Sequence, residues 1–278
     1  MEKGLKILKT VINIGIEKPV KLLHITDTHF TYDDPHTEED RTETFSVDYR
    51  GCVEDYFFQA LEYAKQNDMP ILHTGDLIDF LSKGNFDLLD SLKDVDYMYA
   101  AGNHDFCHYV GKATEDYEYK WNNIKQVAPH IKSNLYFDSR VIGGVNVVTL
   151  DDSYYLISEG QLEMLKAEVA KGYPIILGMH VPLYTEKHAN IMLKELGTAA
   201  VCGAPESMLA TYSEGRRLQQ TPDAATLRAI DYIKSEPLIK AVVAGHTHRN
   251  FEENITENLP QYLTHGSFAG YVREITII

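Results

Sequence analysis

Five short polar segments hold the residue types that bind divalent cations and move protons: Asp27-Thr28-His29, Gly75-Asp76-Leu77-Ile78-Asp79, Gly102-Asn103-His104-Asp105, Gly178-Met179-His180 and Gly245-His246-Thr247-His248. Carboxylate oxygen, imidazole nitrogen and amide oxygen form a mixed donor set that suits a borderline ion such as Mn, Fe or Zn. No cysteine belongs to the set, which argues against a closed structural zinc site. Asp27 and His29 stand two residues apart, so an extended chain would turn both side chains to one side, where they can chelate one ion. Each segment also has a plainer reading: Asp-x-His as a capped turn, Gly-Asp as an ordinary turn, and His246 with His248 as a surface turn. Gly102-Asn103-His104-Asp105 is more specific, because the amide is a neutral hard ligand while the adjacent histidine points elsewhere and can be held by a carboxylate.

The elements that must position these residues are legible as apolar runs. Residues 20–26, 69–74, 97–101, 173–177 and 239–244 each read as a buried strand ending at one of the polar segments. In open α/β sheets, sites form at the carboxyl ends of strands, so segments far apart in the chain can converge in one crevice. Helical spacing of Val53, Phe57, Leu61 and Ala64 predicts a helix over 48–66. Ser158 with Gln161 reads as a capping box opening a helix to Lys171, and Thr221-Pro222 as an N-cap and first-turn proline before a helix to Lys234. A hairpin over 141–150 turning on Gly143-Gly144, an opening strand over 8–14 and a closing strand over 271–278 make the sheet mixed. One domain over 1–278, with two packed sheets flanked by helices, fits this order. Residues 30–47 and 182–220 fall outside the alternation and read as insertions; each follows a ligand segment and is expected to lie over the site and govern substrate access.

A chain of 278 residues with 44% apolar content can bury a large core. Its 26 Lys and Arg against 41 Asp and Glu give a charge of -15, which opposes non-specific binding to DNA or RNA, so nucleic-acid polymers are not expected partners. Bound metal ions reverse that sign locally, and a small phosphorylated substrate stays compatible with an acidic protein. No apolar run approaches the roughly 20 residues of a membrane span, and the N-terminal residues continue into a strand, so neither membrane insertion nor export is indicated. Cys52, Cys107 and Cys202 are odd in number and lack a Cys-x-x-Cys pair, which suits reduced thiols in the cytoplasm.

Taken together, Asp27-x-His29, Gly75-Asp76-x-x-Asp79, Gly102-Asn103-His104-Asp105, His180 and Gly245-His246-x-His248 closely resemble the calcineurin-like metallophosphoesterases, over residues from about 20 to 250. The resemblance implies an α/β fold, a four-layer αββα sandwich of two mixed sheets, carrying two divalent or mixed-valence transition-metal ions. It implies that Asp27, His29, Asp76 and His248 hold one ion and Asp76, Asn103, His180 and His246 the other, with Asp76 as the bridge. It further implies ions about 3.5 to 4 Å apart, with a bridging water that becomes hydroxide near neutral pH and attacks phosphorus in line. His104 would stabilise the developing charge or protonate the leaving oxygen, with Asp105 the nearest candidate to orient its ring. Asp79 would be a hydrogen-bond partner of a ligand histidine or a helix N-terminal acid.

Purple acid phosphatases place a ligand tyrosine after their Gly-Asp, and Asp79 occupies that neighbourhood here, so a coloured tyrosinate-iron centre is not expected. The pattern is more similar to the branch containing bacterial class III cyclic-nucleotide phosphodiesterases and unassigned phosphohydrolases. The implied reaction is metal-dependent hydrolysis of a phosphomonoester or phosphodiester, of a small molecule or nucleotide. Phosphoprotein phosphatase and nuclease activities are siblings. A non-catalytic scaffold of the same fold would lack ligands or the catalytic histidine, and none of them is missing.

Outside the motif, His24 and His73 interrupt site strands and read as satisfied core histidines, while His36, His130 and His188 read as structural. His108 could contact substrate, and His265 is open. Arg249 could hold phosphate or pair with a surface acid. The aromatic stretch from Tyr97 to Tyr119 and the pair Tyr154-Tyr155 could stack a base, but packing explains tyrosines in so tyrosine-rich a chain.

Overall fold

The computed structural model describes residues 4–33, 52–107 and 117–278. The expectations for residues 34–47, the start of the helix at 48, His36 and His108 lie outside these. Eleven strands are described: β1 (Lys6–Ile12), β2 (Val20–Ile25), β3 (Ile71–His73), β4 (Tyr97–Tyr99), β5 (Phe137–Ile142), β6 (Val145–Leu150), β7 (Ile175–Gly178), β8 (Ile239–Ala244), β9 (Phe251–Thr256), β10 (Leu259–Leu263) and β11 (Tyr271–Ile277). One sheet has the order β1-β11-β2-β3-β4 and the other β5-β6-β7-β8-β10-β9. Within the first, β2, β3 and β4 run parallel; within the second, β6, β7 and β8 do. Both sheets are mixed, because β11 is antiparallel to β2 and β5 to β6.

Alternation along the strands builds the layers. Val20 and Leu22 of β2 and Leu72 of β3 meet Val145 and Val147 of β6, Ile176 of β7 and Val243 of β8 in a core between the sheets. Leu23 and Ile25 of β2 face the other way, onto Val53, Phe57, Ala60 and Ala64 of helix α1 (Val53–Gln66) and Leu88 and Leu89 of α2 (Lys83–Ser91). On the far sheet, Val148 and Leu150 of β6 and Val242 of β8 meet Leu162 and Leu165 of α4 (Glu159–Val169) and Ala229, Ile230 and Ile233 of α8 (Ala224–Ser235). A short helix α3 (Tyr117–Val127) precedes β5, and α5 (Glu186–Leu196), α6 (Glu206–Leu209) and α7 (Glu214–Gln220) lie between β7 and α8. The result is the expected four-layer αββα sandwich.

Local signals explain the turns. Gly143 and Gly144, at φ +55° and +88°, form the two-residue connection between Ile142 and Val145, the conformation a tight hairpin needs at both positions. The Ser158 hydroxyl accepts the Gln161 N–H while the Gln161 side chain accepts the Ser158 N–H, so the capping box opens α4 as expected, although the helix stops at Val169. The expected cap at Thr221 is corrected: Asp223 accepts the Thr226 N–H at 2.7 Å, and Thr221 instead closes α7. Residues 182–220 carry their own small apolar cluster, with Ala189, Val201, Met208 and Leu209 buried. No described helix is long and apolar enough to cross a membrane.

Candidate metal centre

The ends of β2, β3, β7 and β8, with the turn after β4, meet at one edge of the sandwich. Asp27, His29, Asp76, His246 and His248 all hold left-handed backbone, with φ of 48°, 54°, 55°, 66° and 48°. Side chains other than glycine rarely take that conformation, at a cost of roughly 1 to 3 kcal/mol each, and it persists where the surroundings over-determine it. Here the constraint is visible. The Asp27 N–H donates to the Gly75 carbonyl at 2.9 Å, and those of Thr28 and His29 donate to the Asp76 carbonyl at 2.8 and 2.9 Å. Asp27 and His29 therefore converge through a turn, not through the extended geometry their spacing suggested.

The Asp105 carboxylate, fully buried, fixes the second loop. It accepts the N–H groups of Asp76 at 3.0 Å, Leu77 at 3.1 Å and Gly102 at 2.7 Å, and the Tyr99 hydroxyl at 2.5 Å. A Cβ on Gly102 would run into the Asp76 backbone nitrogen and carboxylate, so only glycine lets the two loops approach this closely.

Three groups of ligand-type atoms result, each with its atoms within 4.8 Å of one another: Asp27 with His29 and His248; Asp76 with His180 and His246; and His29 with Asp79 and His104. In the first, His29 Nε2 lies 3.2 Å from His248 Nε2, which lies 3.2 Å from Asp27 Oδ1. In the second, His180 Nε2 lies 3.1 Å from His246 Nδ1 and 3.1 Å from Asn103 Oδ1. Asp76 Oδ2 stands between them, 3.3 Å from His180 Nε2 and 3.8 Å from His29 Nε2. All seven expected ligands surround one centre.

Hydrogen bonds fix which atoms face inward. His180 Nδ1 lies 2.7 Å from the Thr74 carbonyl, so it carries a proton, and in the neutral ring Nε2 presents its lone pair to the centre. His29 Nδ1 lies 2.7 Å from Asp79 Oδ1, with the same consequence for its Nε2. Lone pairs and carboxylates thus converge, and a cation satisfies both. Burial opposes a charge on His180, yet Asp76 and Asp27 outweigh it and raise its pKa to about 10. Burial likewise opposes the charge on Asp27, but His248 carries its carboxyl well below the usual range. A field able to hold a proton on a buried imidazole also favours a divalent ion, which binds by displacing that proton. The residues present fit transition-metal ions.

The structure corrects one role. Asp79 Oδ1 lies 3.0 Å from His104 Nδ1, so Asp79 orients this ring as well as that of His29, whereas both oxygens of Asp105 serve the Asp76 loop. His24 and His73 are buried core histidines: His24 bonds Thr264 at 2.8 Å and Thr74 at 2.7 Å, and His73 bonds Thr28 at 3.0 Å. Burial pushes the His73 imidazole down to about 3. Arg249 pairs with Glu195 of α5, the surface alternative, and His188 Nε2 lies 3.2 Å from Thr247 Oγ1, tying α5 to the Gly245–His248 turn. His265 stacks on Tyr271 with ring centres 4.7 Å apart. Tyr154 packs against Phe106, as the packing alternative had it.

One site residue, Asp152, escaped the sequence reading, and a second, Tyr155, was read there as packing. Asp152 Oδ1 accepts the His180 N–H at 2.9 Å, and burial pushes its carboxyl up to about 7. The Tyr155 hydroxyl lies 2.8 Å from His246 Nε2. Their signal was present: Asp151-Asp152-Ser153 follows the apolar run of β6 as the other polar segments follow theirs.

Among curated proteins none matches this chain. Of solved structures, a dimetal phosphatase from Danio rerio is similar at 14% identity and a TM-score of 0.55, over 90% of this chain and 88% of that one. A 5′-nucleotidase from Candida albicans is similar at 12% identity and a TM-score of 0.46, over 96% of this chain, which spans 48% of that protein. The first likeness bears on the fold alone. The profile of calcineurin-like phosphoesterases matches residues 20–250, the stretch that holds all five ligand segments, and the chain therefore belongs to this family of phosphoester hydrolases.

Proposed function

We propose that this chain hydrolyses a small phosphomonoester or phosphodiester, of a metabolite or nucleotide, at two divalent or mixed-valence transition-metal ions (Mn, Fe or Zn) that share the Asp76 carboxylate. The observation that carries the reading is the place of Asp76 Oδ2, within 4 Å of ligand nitrogens from both groups. Asp27, His29 and His248 would complete one position, and Asn103, His180 and His246 the other. When bound, the ions would neutralise phosphoryl oxygens and acidify the attacking water.

The chain's own residues divide the remaining work. His104 is partly buried beside the first group, 4.8 Å from His29 between ring centres, and its Nδ1 is held by Asp79. It would act through Nε2, donating to the leaving oxygen or to the developing charge. Asp105 would keep Asp76 in register by holding its backbone. The charge of -15 supports a small substrate over a nucleic-acid polymer, and the cysteine usage supports a cytoplasmic location.

Assays with added Mn on p-nitrophenyl phosphate and bis-p-nitrophenyl phosphate test the reading: metal-dependent turnover of at least one is expected, abolished by a chelator and restored by metal. Absence of metal-dependent turnover of either would favour a scaffold without catalysis. Phosphorylated metabolites, cyclic nucleotides and phosphopeptides then rank the substrate classes.

A further inference from the structure

We infer that the segment after β6, Asp152 to Tyr155, is a clamp that positions the ligands of one metal position only, acting on His180 through Asp152 and on His246 through Tyr155. The inference rests on the two-ion reading. Asp152 Oδ1 accepts two consecutive backbone N–H groups, from His180 at 2.9 Å and Val181 at 3.2 Å, and so fixes the turn by which β7 delivers His180. Its other oxygen is buried with no hydrogen-bond partner among the described residues, so the carboxylate is kept there despite an unfavourable environment.

Tyr155 supplies the second hold. It is buried and holds left-handed backbone at φ 64°, a conformation that a bulky aromatic residue adopts only under constraint, and one that points to function when it recurs at a site. This conformation accompanies a hydroxyl 2.8 Å from His246 Nε2, while His246 Nδ1 faces His180 Nε2 at 3.1 Å. A ligand imidazole needs its other nitrogen protonated and bound to an acceptor, and the phenol oxygen can accept the Nε2–H when Nδ1 gives its lone pair to an ion. Neither Asp152 nor Tyr155 contacts Asp27, His29 or His248 through a hydrogen bond among the described residues. Those ligands have a separate support, Asp79 on His29 and Thr26 on Asp27, the latter at 2.6 Å.

Calorimetric titration of the metal-free protein with Mn tests this, because it reads two affinities rather than turnover. Tyr155→Phe removes only the hydroxyl and is expected to weaken one of the two ions by about 10-fold or more while the other keeps its wild-type affinity. Asp79→Asn should weaken the opposite position. Asp152→Ala should act on the same position as Tyr155→Phe, so the two single variants and their combination should all spare one ion. Wild-type affinity for both ions in Tyr155→Phe, or equal loss at both, would overturn the clamp. A wild-type protein that takes up a single ion would instead overturn the two-ion reading beneath it.

Discussion

One oxygen, Asp79 Oδ1, holds two imidazoles, those of His29 and His104, to which the proposed reaction gives different tasks. It lies 2.7 Å from His29 Nδ1 and 3.0 Å from His104 Nδ1, and the two histidines hold its carboxyl below the usual range against burial. If His104 has the proposed role on charge in the transition state, His104→Ala should retain two metals and lose about 10²- to 10⁴-fold in kcat. Metal analysis alongside kcat checks it; undiminished turnover would remove His104 from the mechanism. Asp105→Asn should fail differently. Its carboxylate accepts four backbone N–H groups, from Asp76, Leu77, Ile78 and Gly102, and a phenol, and an amide can replace only part of that, so unfolding stability should fall by about 1 to 3 kcal/mol in denaturant titration. The residue types of the centre were legible because they recur in order, but the division of labour between Asp79 and Asp105 was not. Each lies past a left-handed or tightly turned residue, where strand alternation no longer dictates which way a side chain faces.

At the scale of elements, the close approach of the β3 and β4 turns is a packing constraint that Gly102 satisfies. Gly102→Ala should displace the Asp76 carboxylate and lower kcat/KM by about 10²-fold or more. Near-normal kcat/KM would show that the turns can separate without harm. A second prediction concerns α1, β2 and β11, which meet on Glu274: its carboxylate accepts the Tyr63 hydroxyl at 2.7 Å and the Lys21 ammonium at 3.0 Å. These partners, Tyr63 first, hold its pKa below the ordinary 4.5 despite burial. The folded pKa is depressed, so the contribution to stability is present above pH 4.5 and is lost as pH falls through the lowered value. Stability against pH should therefore have a shallower acid limb in Glu274→Gln, and parallel profiles would contradict the coupling. The strands and capping box were readable because period and cap chemistry are local. Strand order was not, since β11 inserts between β1 and β2 and β10 between β8 and β9 through pairings that no local pattern encodes. The Thr221 cap misled because Thr221 and Asp223 are both able to cap, and only the hydrogen bond to Thr226 distinguishes them.

The whole molecule sets the field in which the centre works. With a charge of -15, the chain repels an anionic ester at long range while its metal positions attract it at short range. Screening weakens the first far more than the second, so kcat/KM for a phosphomonoester dianion should rise from low salt to about 0.15 M ionic strength, and a fall would contradict that balance. The fold brings the ends of β2, β3, β7 and β8 and the turn after β4 to one edge, where Asp76 Oδ2 lies within 4 Å of both His29 Nε2 and His180 Nε2. The most direct measurement is a count of ions per chain, by metal analysis after equilibration with Mn, for the wild type and Asp76→Asn. Two ions in the wild type and weakened binding of both in the variant are the predicted result. One ion in the wild type, or loss of a single ion in the variant with the other bound at wild-type affinity, would contradict a shared carboxylate.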